Sequence, residues 1–204
     1  MNLDDIAGVA HEPDGTAAGV VLLTHGAGGS RDAPLLRRLC DEWARRGWLA
    51  VRYNLPYRRR RPKGPPSGSA ASDRKGIEEA AALARTLADG PLVAGGHSYG
   101  GRLTSMAAAE GLDIDGLTLF SYPLHPPGKP EKPRTEHLRR IAVPTVFTHG
   151  TSDPFGTIDE LRSAIALIPA PTELVDITGA RHDLGSKTLD VPELSVTAAL
   201  RMLG

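Results

Sequence analysis

Short apolar runs alternate along this chain with segments whose apolar positions fall at helical spacing. Gly19-Val20-Val21-Leu22-Leu23, Trp48–Tyr53, Pro91–Ala94, Leu117–Phe120, Thr145–Gly150 and Glu173–Ile177 are continuous and rich in branched residues. Strands covered on both faces of a parallel sheet have this pattern, because neither face is available to polar residues. Between them, Leu36, Leu39, Cys40 and Trp43 recur at i, i+3, i+4 and i+7, predicting a helix capped near Asp32 and stopped at Gly47. Ile77, Ala80, Ala81, Ala84, Leu87 and Ala88 predict another, ending at Gly90. Arg102–Glu110 completes a third. Thr157 and Glu160 form a capping-box pattern ahead of Ile158, Leu161, Ile165 and Ile168, and the last helix is expected from about Pro192 to Leu203. The alternation predicts an α/β fold, a doubly wound and mostly parallel sheet with its functional groups at the C-terminal strand ends. No linker divides it, so residues 1–204 read as one domain without a helical cap domain.

Two stretches escape the pattern. Residues 54–71 are rich in Pro, Gly and Arg and read as irregular, and residues 122–135 carry five prolines and read as an ordered loop. Residues 1–18 read as a short lead-in with one irregular strand, closed by the turn Glu12-Pro13-Asp14-Gly15.

The junction between one strand and one helix carries the chemistry. In Gly95-Gly96-His97-Ser98-Tyr99-Gly100-Gly101, the spacing Gly96-x-Ser98-x-Gly100 fits the nucleophile elbow of an α/β-hydrolase fold. There a serine sits at a tight strand-to-helix turn, and side chains two positions either side of it would collide. A serine hydroxyl needs a base, and the base needs an orienting acid. In this fold they follow in the order Ser, Asp or Glu, His. Asp153 lies just beyond the 145–150 strand and His182 just beyond the last strand. Asp153 could open a turn before Pro154 and His182 could be a surface histidine; their places after strands favour Ser98 as nucleophile, His182 as base and Asp153 as acid.

The glycine loop His25-Gly26-Ala27-Gly28-Gly29 follows the first strong strand, where this fold draws one oxyanion donor. Ala27 and Tyr99 are the expected backbone N–H donors. A dinucleotide loop is the competing reading, but the G-x-G-x-x-G spacing is absent. Tyr57, Tyr122 and His125 are expected to line the cleft. His25 and His97 read as packing or hydrogen-bonding groups under the site, His149 as part of the acid loop, and His11 as incidental. Cys40 falls on an inner helix face and reads as core. Arg58-Arg59-Arg60-Arg61 reads as a solvated loop, with the sharper alternative that one or two of its arginines hold an anionic substrate group.

Lys plus Arg and Asp plus Glu balance at 24 each in 204 residues, so no global field draws nucleic acid or a membrane surface. One cysteine excludes an internal disulfide and points to a reducing compartment. The acidic Met1–Asp5 start lacks signal-peptide character, and no apolar run approaches a membrane span. A cytoplasmic protein with no metal or cofactor is expected; the oligomeric state is open.

The chain resembles the dienelactone-hydrolase-like group of α/β hydrolases. More narrowly, it is similar to the domain shared by testis-expressed protein 30 and subunit 3 of the KAT8 regulatory NSL complex. His25–Gly28, Tyr53–Tyr57, Gly96–Arg102, Tyr122–Gly128 and Gly150–Gly156 carry the resemblance, which spans roughly positions 20 to 185. It implies the α/β-hydrolase fold with Ser98, Asp153 and His182 on the triad positions. Dienelactone hydrolases use a cysteine nucleophile where this chain has Ser98. The function expected is hydrolysis of a small carboxylic ester or thioester through an acyl-enzyme. A non-catalytic binding or scaffold protein and a peptidase of the same fold are the alternatives.

Overall fold

The computed structural model describes residues 2–66 and 70–204. Seven strands form one sheet in the order β1-β3-β2-β4-β5-β6-β7. They are β1 (Gly8–His11), β2 (Val20–Thr24), β3 (Leu49–Tyr53), β4 (Leu92–His97), β5 (Gly116–Phe120), β6 (Thr145–Gly150) and β7 (Thr172–Ile177). Only β1 runs antiparallel, pairing Gly8 with Tyr53 at the sheet edge, and every other pairing is parallel. The helices are α1 (Pro34–Arg45), α2 (Pro56–Arg60), α3 (Ala70–Ala84), α4 (Ser98–Ala109), α5 (Ile158–Ile165) and α6 (Val191–Leu203).

Period-2 alternation divides the strands between two cores. Val20, Leu22, Val51, Leu92, Ala94, Leu117 and Leu119 face one core with α3 and α4. Val21, Leu23, Ala50, Val93, Phe120 and Val146 face the other with α1 and α6. Cys40 is in that second core and fully buried, which pushes its thiol up to about 12.

Several local expectations are corrected. The stretch read as irregular from 54 to 71 contains α2 and the start of α3; residues 67–69 lie outside the described residues. Pro56 supplies the preset φ of a first helical position, and the following Tyr and Arg residues extend it for barely more than a turn. Asp32 does not cap α1. Ala33 holds that position with Pro34 behind it, and the Asp32 carboxylate instead accepts Arg52 at 2.6 Å and Arg37 at 3.2 Å. α3 ends at Ala84 rather than near Gly90, and Ile168 is buried in the turn after α5 rather than on it. The Thr157–Glu160 capping box is present. A 3₁₀ turn at Leu138–Arg140 had no counterpart in the expected elements. His11 is not incidental: its Nε2 accepts from Arg52 Nε at 2.8 Å and its Nδ1 bonds Asp41 at 2.7 Å, tying β1 to β3 and α1.

Candidate active site

β4 meets α4 with almost no turn between them. Ser98, the first residue of α4, has φ 49°, the left-handed region that costs an L-residue about 1–2 kcal/mol. Glycines make the approach possible. A Cβ on Gly96 would lie 2.5 Å from the Thr24 carbonyl oxygen, and one on Gly100 2.5 Å from that of His25. The elbow is therefore clamped against the end of β2, where the glycine loop begins.

Three groups converge there. His182 Nε2 lies 2.8 Å from Ser98 Oγ, and His182 Nδ1 lies 2.8 Å from Asp153 Oδ2. The second contact fixes the tautomer: a carboxylate accepts, so Nδ1 carries the proton and Nε2 offers its lone pair to the hydroxyl. Burial alone would raise the Asp153 carboxyl. The His182 bond, the Phe155 N–H on Oδ1 at 2.9 Å and the His182 and His149 imidazoles outweigh it and hold the carboxyl below its ordinary range. The His182 ring lies between Phe155, with centroids 4.3 Å apart, and His97, at 5.2 Å. His97 Nε2 also donates to the His182 carbonyl at 2.7 Å, so the residue beside Ser98 holds the backbone of His182. His149 Nε2 donates to Gly156 O at 3.0 Å and braces the Asp153 loop.

The Asp153 and His182 loops are laced to each other. Thr151 N donates to Ile177 O at 3.1 Å, Ser152 N to Ala180 O at 2.9 Å, and Gly179 N to Thr151 Oγ1 at 2.8 Å.

The glycine loop is held from below. Gly26 O accepts from His25 Nδ1 at 2.9 Å, Gly29 N at 3.0 Å and Tyr57 Oη at 3.2 Å; Tyr57 Oη also donates to Ala27 O at 2.7 Å. His25 Nε2 accepts from Leu55 N at 3.3 Å, and burial lowers the imidazole to about 4, so it stays neutral with both nitrogens engaged. The Ala27 N–H has no partner among the described residues. The Tyr99 N–H lies in the first turn of α4, where no carbonyl stands four residues back to receive it.

Tyr57 is 1 % exposed, so it supports the loop and presents no surface to a ligand. Tyr122 is equally buried. It donates to Arg134 O at 2.6 Å and packs edge-on to Phe147, bracing the proline-rich loop from inside. His125 bonds Pro126 O at 2.9 Å and Glu160 at 3.4 Å, and lines a cavity of about 320 Å³ between that loop and α5 whose walls contain none of Ser98, Asp153 and His182. The expectation that these three side chains line the cleft is corrected accordingly: burial and internal hydrogen bonds occupy them.

Two supporting residues escaped the sequence reading. Arg58, expected in a solvated loop or over the cleft, turns inward. It is 5 % exposed, donates Nε to Gly29 O at 2.7 Å and lies over the Tyr57 ring at 5.1 Å. The next two arginines are tied down as well, Arg59 to Asp5 O and Arg60 to Ser72 Oγ at 3.4 Å. Asp73, on α3, is 3 % exposed and accepts the Tyr57 N–H at 2.9 Å and the Tyr99 hydroxyl at 3.0 Å. One carboxylate thus joins the glycine-loop support to the elbow. The only signal for either residue was an aromatic-plus-charged cluster in a segment with no periodicity.

Among the described residues, no group of three or more His, Cys, Asp or Glu side chains is placed to hold a metal ion, and no helix is long and apolar enough to cross a membrane.

A doubly wound sheet with a glycine-clamped serine where β4 meets α4 is the architecture of the α/β hydrolases. The profile of a family described as "Alpha/beta hydrolase domain" matches residues 17–195, and the chain belongs to that family. Solved structures agree in fold. Est1E of Butyrivibrio proteoclasticus with bound ferulic acid superposes with a TM-score of 0.78 at 17% identity, over 96% of this chain and 94% of that one. An alpha-beta serine hydrolase homologue from Coxiella burnetii gives 0.75 at 16% identity, covering 94% and 90%. A dienelactone hydrolase from Anabaena variabilis gives 0.73 at 21% identity, covering 97% and 92%.

Proposed function

We propose that the protein is a serine hydrolase that cleaves a small carboxylic ester or thioester through an acyl-enzyme. The observation that carries this reading is the unbroken Ser98–His182–Asp153 relay, 2.8 Å at each joint, set on a strained elbow. His182 Nε2 takes the Ser98 proton as Oγ attacks the substrate carbonyl carbon. The carbonyl oxygen becomes an oxyanion, received by the Ala27 and Tyr99 N–H groups. Collapse of the tetrahedral adduct expels the alcohol or thiol, which leaves with the proton from His182, and Ser98 is acylated. Water then gives up a proton to His182, attacks the acyl carbon and releases the acid, restoring the serine. Asp153 stays ionised throughout and stabilises the imidazolium, a role its depressed carboxyl favours. One buried cysteine supports a reducing, cytoplasmic setting.

A fluorophosphonate probe tests the reading. Labelling of the native protein that disappears in Ser98→Ala and His182→Ala is expected. Absence of labelling in well-folded native protein would overturn it and turn attention to a binding role for the same cleft.

A further inference from the structure

One turn beyond the elbow, α4 contributes Arg102 to a second cavity, of about 210 Å³, whose wall also includes Arg134, His137 and Arg140. Three guanidinium groups meet there, and none of them forms an ion pair among the described residues. Arg102 Nε is buried and has no hydrogen-bond partner. Among the described residues the Arg134 guanidinium donates to the Pro123 carbonyl alone, at 3.2 Å. Two carboxylates border the cavity without neutralising it. Glu110 is taken by Arg74 at 3.2 Å, and Glu136 lies exposed at the rim. Positive charge dominates inside: burial and Arg102 lower Arg134 against an opposing pull from Tyr122, and burial, Arg102 and Arg140 lower His137 to about 4. Clustered cations of this kind raise one another's energy unless an anion is received among them.

We propose that Arg102, Arg134 and Arg140 form a binding site for a phosphoryl group carried by the ester substrate. A carboxylate is satisfied by a single bidentate arginine, whereas three uncompensated forks match a tetrahedral dianion in charge and in donor directions. Arg102 follows Ser98 by four residues on α4, a rise of about 6 Å on nearly the same side of the helix. The cavity wall contains none of Ser98, Asp153 and His182, so such a substrate must join its phosphoryl group to the acyl carbon by a linker spanning at least that rise. The substrate half of this inference rests on the hydrolase reading; the anion site does not.

The test is calorimetric titration of full-length Ser98→Ala protein, so that binding is read without turnover, with inorganic phosphate, a phosphorylated ester and its neutral analogue. The same titrations follow on that background with Arg134→Gln and with Arg140→Gln, whose exposed side chain can change without threatening the fold. Phosphate binding weakened by salt, and lost by roughly tenfold or more in each arginine variant, is expected. The phosphorylated ester should bind more tightly than its neutral analogue by a similar factor, and the arginine variants should erase that difference. No phosphate binding, or binding indifferent to both substitutions, overturns the site. Arginine-dependent phosphate binding without preference for the phosphorylated ester overturns the substrate assignment and leaves free phosphate as the ligand. Hydrolysis of the neutral ester by native protein tests the hydrolase reading separately, because neither arginine acts at the reacting atoms.

Discussion

Tyr57 shares its one hydroxyl hydrogen between the Ala27 carbonyl, at 2.7 Å, and the Gly26 carbonyl, at 3.2 Å, and the Gly26 carbonyl belongs to the same peptide unit as the Ala27 N–H. With His25 and Gly29 donating in full, two hydrogen bonds and a share of a third draw electron density toward one oxygen. The peptide is polarised, and its N–H becomes a better donor. Tyr57→Phe keeps the ring that packs against His25 and Tyr99 and removes only the hydroxyl. On the reading of Ala27 as an oxyanion donor, kcat should fall about 2–10-fold, the worth of one neutral hydrogen bond, with KM little changed. Steady-state kinetics on a simple aryl ester decide; a change confined to KM would argue against it.

The left-handed φ of Ser98 predicts an asymmetry between two inactive variants. Ser98→Ala keeps the strain, whereas Ser98→Gly releases about 1–2 kcal/mol of it and returns about 0.5–1 kcal/mol as extra freedom of the unfolded chain. Ser98→Gly should therefore melt above Ser98→Ala, by about 1–4 °C for a chain of this size. Calorimetric scans of the two would show it.

Asp73 should separate two kinds of damage. Asp73→Ala strands the buried Tyr57 N–H, at a cost of about 1–3 kcal/mol, while Asp73→Asn retains an acceptor and should cost less. Both loosen the hold on Tyr99 and should lower kcat if that residue's N–H receives the oxyanion. Equal unfolding midpoints in urea would contradict the assignment of Tyr57 as the dependent partner.

Acid should destabilise the fold well above the range where carboxylates titrate. His25, surrounded by Arg58, Asp73 and His97, is lowered to about 4 chiefly by burial, and His137, near Arg102 and Arg140, likewise. Their unfolded counterparts protonate near 6.5, so the unfolded state binds more protons from there down and stability falls between about pH 6.5 and 4. At 1.36 kcal/mol per unit, His25 accounts for about 3 kcal/mol over that window and His137, which solvent screens more, for about 1–2 kcal/mol. Asp153 has the depressed-carboxyl sign: its contribution is present above the unfolded value and is lost only as pH falls through the still lower folded one. His137→Gln, which keeps a donor for Ser105, should flatten the slope by one histidine's share. Urea midpoints at pH 7 and pH 4.5 measure it.

Strands β2 to β7 and the Ser, Asp, His order were legible because both depend on local sequence. A strand covered on two faces must be apolar throughout, and an elbow must place glycine where Thr24 and His25 carbonyls press. The support beneath the site was not legible. Four consecutive arginines look solvated, and nothing in their composition tells that Arg58 turns toward the Gly29 carbonyl while its neighbours reach Asp5 and Ser72. That direction comes from α2, a helix of five residues too short to leave a periodic trace. Asp73 was hidden for a similar reason, being a single carboxylate in the first turn of α3 whose partners lie 16 and 26 positions further along or back. Tyr122 and His125 resembled cleft residues because proline-rich loops over an active site usually offer their aromatics to it; here the loop needs them for its own interior.

The lacing of the Asp153 and His182 loops divides the relay into unequal halves. Asp153 and His182 ride on laced loops at the β6–β7 edge, while Ser98 belongs to the junction of β4 and α4, with β5 in between. One further tie spans that gap: His97, the last residue of β4, donates Nε2 to the His182 carbonyl at 2.7 Å. Ser98 and His182 are thereby held in register by a bond in which neither Ser98 Oγ nor the His182 ring takes part.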